Sequence, residues 1–125
     1  MPFDGTSKPS VGPGASQATI VLNMMEFFFD GGARWACRTY CTDDGKRCLL
    51  GALEYVRCEA GHCGHRTVQY LARAINLRQF AKGLPLLGNS DTVTIMGFND
   101  AFGRSFADVA AVLSDAKQLS AIDCR

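Results

Sequence analysis

The sequence has almost no net charge: 13 Lys and Arg stand against 12 Asp and Glu, leaving +1 over 125 residues. A protein that grips a nucleic-acid backbone needs a clear basic excess, because its affinity comes from neutralising phosphates. That class of partner is not expected. Nor is there an apolar run long enough for a bilayer. The most apolar stretch, ATIVLNMMEFFF at 18–29, is interrupted by Asn23 and Glu26, and a spanning helix needs about 20 residues. No membrane partner is expected either. The opening MPFDGTSKPS lacks the charged-then-apolar pattern of an export signal. The expected compartment is therefore a reducing cytoplasm, where six cysteines read as thiols or metal ligands before they read as disulfides. Internal repeats are missing as well.

What is present is globular. Hydrophobic residues make up 47% and charged residues 20%. The length suits one domain with a real core. Residues 1–15 are rich in Gly, Pro and Ser and are expected to form a flexible lead, with a single compact domain over 16–125. Ser16 is placed to cap a helix from Gln17 to Asp30, closed by Gly31 and Gly32. Its inward face is expected at Ile20, Met24, Phe27 and Phe28, with Val21 and Met25 beside them.

Asp44-Gly45 is a strong hairpin signal, so the 36–47 segment is expected to pair with itself. A two-residue turn there would set Cys41 opposite Cys48, within about 5.5 Å between Cβ atoms. From Cys48 the pattern becomes helical, with Leu49, Ala52, Leu53 and Val56 on one face. Gly51 costs that helix about 1 kcal/mol against Ala, which makes sense if another segment crosses close to its backbone. A third helix is expected from Arg66 or Thr67 to Asn76, and an extended segment at 92–97. The last helix is the clearest. Ser105 and Asp108 form a capping-box variant ahead of Phe106, Val109, Ala110, Leu113 and Ala116. The expected fold is α+β and mainly α: about four helices packed with a small hairpin and one short extra strand.

Three landmarks follow in order: Trp35, then GKRCLLGALEYVR at 45–57, then FNDAFGRSFADVAAVL at 98–113. Together they resemble a family of small bacterial and phage proteins of unknown function, over roughly residues 18–120. The resemblance implies positions and no activity. Trp35, Arg47, Cys48, Gly51, Asn99, Asp100 and Arg104 match its motifs, whereas Cys37, Cys41, Cys58, His62, Cys63 and His65 stand outside them.

Three chemistries can be weighed on these residues. Cys37, Cys41, Cys58, His62, Cys63 and His65 could supply a tetrahedral zinc site, although neither half has the usual two-residue knuckle spacing. Cys48, at a helix start behind Lys46 and Arg47, could be a thiolate nucleophile. His62 or His65 would then be its base, and Asn99 or Asp100 would orient that base. Against this, CLLGAL is apolar enough to make Cys48 a core residue. Asn99, Asp100 and Arg104 read first as organisers of a turn, with Arg104 able to pair with Asp100. Opposed Cys41 and Cys48 thiols could act as a redox switch, and Met25 and Phe29 could form a homodimer face. The expected role is a small non-enzymatic regulatory or protein-interaction protein with no cofactor. A Cys48-dependent hydrolase or transferase and a zinc-stabilised binding module are the alternatives.

Overall fold

The computed structural model describes residues 13–123. Five helices carry the fold: α1 (Pro13–Phe29), α2 (Leu49–Ala60), α3 (His65–Ala81), α4 (Asp91–Asn99) and α5 (Phe106–Asp123). A 3-10 turn, Asp30–Gly32, follows α1. The α+β expectation is corrected to an all-helical fold. Among the described residues the β-type pairs are isolated bridges, Trp35 with Arg47 and Cys41 with Arg47. The lead expected at 1–15 falls outside the described residues for 1–12, and 13–15 are helical. Ser16 accordingly lies inside α1 and does not cap it.

The 92–97 segment is helical because its start is capped and its buried face has helical spacing. Ser90 Oγ accepts the Val93 N–H at 3.2 Å, and Asp91 adds a charge that favours a helix N-terminus. Thr94, Ile95, Phe98 and Asn99 are buried. Burial of that stripe outweighs the modest strand preference of Val93, Thr94 and Ile95.

The hairpin fails for a local reason. Thr42 N–H donates to Lys46 O at 2.8 Å, and Lys46 N–H returns to Thr42 Oγ1 at 2.9 Å. The loop is therefore Asp43-Asp44-Gly45, one residue longer than a two-residue turn. The register shifts with it: Cys41 faces Arg47, and Cys48 N–H donates to Tyr40 O at 3.3 Å. This corrects the Cys41–Cys48 pair, since slipping the pairing by one residue changes every partner.

Helix α1 buries a stripe rotated from the one expected, with Met24 and Phe28 partly buried against the core. Ala18, Val21, Leu22, Met25 and Phe29 are buried, whereas Ile20 is 48% and Phe27 87% exposed. The run is apolar on all sides, so periodicity alone does not choose a face. The polar residues do: Asn23, Glu26 and Asp30 line the outer side, and Phe27 falls among them. Met25 and Phe29 are fully buried and present no dimer face.

Helix α2 buries Leu49, Ala52, Leu53 and Val56 as expected. Helix α3 runs five residues past Asn76 to Ala81. At α5 the capping box closes in both directions. Asp108 N–H donates to Ser105 Oγ at 3.3 Å, and Ser105 N–H donates to Asp108 Oδ2 at 3.2 Å. Its buried residues are Val109, Val112, Leu113, Ala116 and Ser120. Helix α1 packs on α2, α3 and α5; α3 packs on α4 and α5; α2 packs on α4.

Candidate functional site

The start of α2 and the end of α4 meet through one side chain. Asn99 is 1% exposed. Its Oδ1 accepts from Trp35 Nε1 at 2.7 Å and from Leu49 N–H at 3.2 Å. Its Nδ2 donates to Ala36 O at 3.1 Å and to Asp100 Oδ1 at 2.9 Å. The primary amide thus fills all four of its hydrogen-bonding positions. One of the donors it satisfies, Leu49 N–H, belongs to the first turn of α2, which has no intrahelical acceptor.

Asp100 extends the network. Its Oδ1 also accepts Arg38 N–H at 2.7 Å, while Arg38 Nη1 donates to the Asp100 carbonyl at 3.3 Å. Arg38 has φ 62°, a left-handed conformation unusual for a residue other than glycine. Arg104 pairs elsewhere than expected. Its Nε donates to Phe98 O at 2.6 Å, its Nη1 to Asp108 Oδ2 at 3.5 Å, and its guanidinium lies 3.8 Å from the Phe98 ring centroid. The Asp108 carboxyl is held below the usual carboxylate range, first by the Ser105 N–H and then by Arg104.

Cys48 caps α2. It is 8% exposed, and its Sγ accepts Gly51 N–H at 3.4 Å. Gly51 is required where it stands, because a Cβ there would collide with the Tyr40 carbonyl oxygen. Arg47 lies over the Tyr55 ring at 4.8 Å and reaches Gly51 O at 3.4 Å. A cavity of about 200 Å³ adjoins the thiol, lined by Arg38, Thr39, Tyr40, Asn99 and Asp100 among others. Burial pushes the Tyr40 hydroxyl above its ordinary range, with Glu54 and Cys48 adding to the rise.

Both histidines lie beyond the opposite end of α2. The 12-residue helix separates them from Cys48 by about 18 Å. The structure therefore does not bring His62 or His65 to Cys48 or Asp100. The cysteines divide the same way: Cys37 and Cys41 precede α2, whereas Cys58 lies in its last turn and Cys63 follows it. Among the described residues no three His, Cys, Asp or Glu side chains are gathered to hold a metal ion. His62, Cys63 and His65 instead border a small cavity of about 110 Å³ at the start of α3, with Gln17, Arg66 and Thr67. Arg38 carries no signal in the residue pattern, since it is not a turn former and its partner Asp100 lies 62 positions away.

A wider groove of about 840 Å³ opens between α1 and α2. Met24, Phe27, Phe28, Tyr55 and Val56 give it an apolar lining, and Glu26, Asp30, Arg34 and Glu59 are its charged residues. Phe28 and Tyr55 pack as a tilted pair with centroids 5.4 Å apart.

These features define a small all-helical protein in which Asn99 ties the start of one helix to the end of another. Among the described helices none is long and apolar enough to cross a membrane. The chain belongs to the family of unknown function DUF6197, whose model matches residues 32–119. Comparisons with curated proteins and with solved structures give no match.

Proposed function

We propose that the protein is a non-enzymatic interaction module whose α1–α2 groove receives a basic amphipathic helix of another protein. The observation that carries this reading is Phe27, 87% exposed beside the groove it lines. An aromatic residue at a polar-rimmed apolar cleft is a common anchor for a partner. Charge selects the partner. Asp30 and Glu59 have no ion-pair partner among the described residues, Glu26 is shared with Lys117 at 2.6 Å, and Arg34 is the lining's one cation. Arg34 and Arg47 already cover Phe28 and Tyr55, at 5.8 and 4.8 Å from the ring centroids. These two aromatic faces are thus occupied, which leaves Phe27 to pack against an aliphatic anchor flanked by Lys or Arg.

The test uses the full chain and two labelled synthetic 18-residue amphipathic helices of Leu with either Lys or Glu. The Lys helix is expected to bind saturably and the Glu helix not. Phe27→Ser should weaken the Lys helix about tenfold, as loss of one anchor does, with stability changed by no more than about 0.5 kcal/mol. Equal binding of both helices, or no effect of Phe27→Ser, overturns the proposal. So does a Phe27-dependent homodimer in sedimentation, which would make a second copy the occupant.

A further inference from the structure

The cavity of about 200 Å³ beside Cys48 carries two opposite charges that do not neutralise each other. Arg38 and Asp100 both line it, and Leu50 and Met96 are its apolar side. It shares no lining residue with the α1–α2 groove. Neither Arg38 nor Asp100 belongs to an ion pair among the described residues. They do touch, but each contact uses a backbone group. Arg38 N–H donates to Asp100 Oδ1 at 2.7 Å, and Arg38 Nη1 donates to the Asp100 carbonyl oxygen at 3.3 Å. Asn99 Nδ2 also donates to Oδ1, at 2.9 Å. Asp100 Oδ2 and the Nε and Nη2 groups of Arg38 have no hydrogen-bond partner among the described residues.

The backbone at Arg38 is the second observation. Its φ of 62° suits glycine, and a residue with a Cβ rarely adopts it. The two bonds to Asp100 hold Arg38 in that conformation, and with it the guanidinium at the cavity. Residues held in such a conformation by their surroundings cluster at ligand clamps. The charges then select the ligand. A lone anion on Arg38 would face the Asp100 carboxylate, and a lone cation on Asp100 would face the guanidinium. A molecule that carries both charges satisfies both groups. The cavity has room for about six waters at about 30 Å³ each. It is smaller than the roughly 300–1,000 Å³ of sites for drug-sized ligands, which suits a single small molecule with an apolar tail.

We propose that this cavity binds a free aliphatic α-amino acid, with its carboxylate on the Arg38 guanidinium, its ammonium on Asp100 Oδ2 and its side chain against Leu50 and Met96.

The test is nitrogen–proton NMR on the full chain, titrated in turn with L-leucine, with isocaproate, which lacks the ammonium, and with isoamylamine, which lacks the carboxylate. Leucine should give saturable shifts at the Arg38 and Leu50 amides and at the Trp35 indole N–H, which donates to Asn99 in the same cavity lining. Each analogue should bind at least about tenfold more weakly, because it leaves one charged group without its partner. Arg38→Gly fits φ 62° and keeps the backbone N–H that Asp100 accepts. It should stay folded and bind leucine at least about tenfold more weakly. Asp100→Asn keeps an Oδ1 acceptor but no charge, and should erase the preference for leucine over isocaproate. The absence of saturable shifts with leucine overturns the proposal. So does an analogue that binds as tightly as leucine, undiminished binding by Arg38→Gly, or an Asp100→Asn chain that still prefers leucine.

Discussion

The two ends of α2 both carry a buried cysteine or histidine-rich segment in sequence, yet they are built on opposite principles. At the Cys48 end every donor of the linking amide is used: Asn99 joins Trp35, Ala36, Leu49 and Asp100. At the Gly61 end, the next helix starts from Gly64, at φ 77°, with no side-chain cap among the described residues. The first end is fastened by a side chain that reaches across the fold; the second is shaped by a glycine whose backbone few other residues adopt. A polar residue such as Asn99 can therefore be a fastening before it is a candidate for chemistry.

The largest effect that sharpens this contrast is expected from Asn99→Ala. It strands the Trp35 and Leu49 donors and the Ala36 acceptor, and should cost about 3–4 kcal/mol in a urea or guanidinium titration. If Asn99→Ala is no more costly than Thr67→Val at the other end, the contrast fails. Gly51→Ala comes next. Its Cβ meets the Tyr40 carbonyl, a backbone atom with little freedom to yield. A loss of about 2 kcal/mol is expected by the same measurement. Smallest is the α5 start, where Ser105→Ala should cost about 1 kcal/mol.

The same capping box has a pH signature. Asp108 is depressed by the Ser105 N–H and by Arg104, so its contribution is complete above the ordinary carboxylate range and is lost as pH falls through the depressed value. The stability gap between the parent chain and Asp108→Asn should thus be constant near neutrality and close on acidification. A gap that widens in acid would contradict the assignment.

Helices whose ends and faces agree were legible in the sequence. Helix α5 shows both halves of its cap, and α2 shows a clean stripe and a Gly51 whose close neighbour the structure supplies as Tyr40. The errors arose where tertiary packing decided. Val93, Thr94 and Ile95 look like a strand, and only the Ser90-Asp91 cap argues otherwise. In α1 the apolar residues surround the helix, so the polar trio Asn23, Glu26 and Asp30 carried the signal. Asp44-Gly45 did mark a turn, but Thr42 bonds to the far side of the loop and lengthens it by one residue. Of the candidate sites, the meeting of Trp35 with Asn99 could not be read from residues 64 positions apart. Nor could the join of α2 to α3, where only the folded chain shows how closely Leu53 and Arg57 approach Gly64.

The bond between Trp35 and Asn99 also gives the molecule its own optical gauge. The chain has one tryptophan, and its indole N–H sits on the amide that holds the α2 start to the α4 end. Fluorescence therefore reports on a single, known fastening with no label added. Any loosening there, whether or not the rest of the helices stay together, changes the emission before global unfolding does.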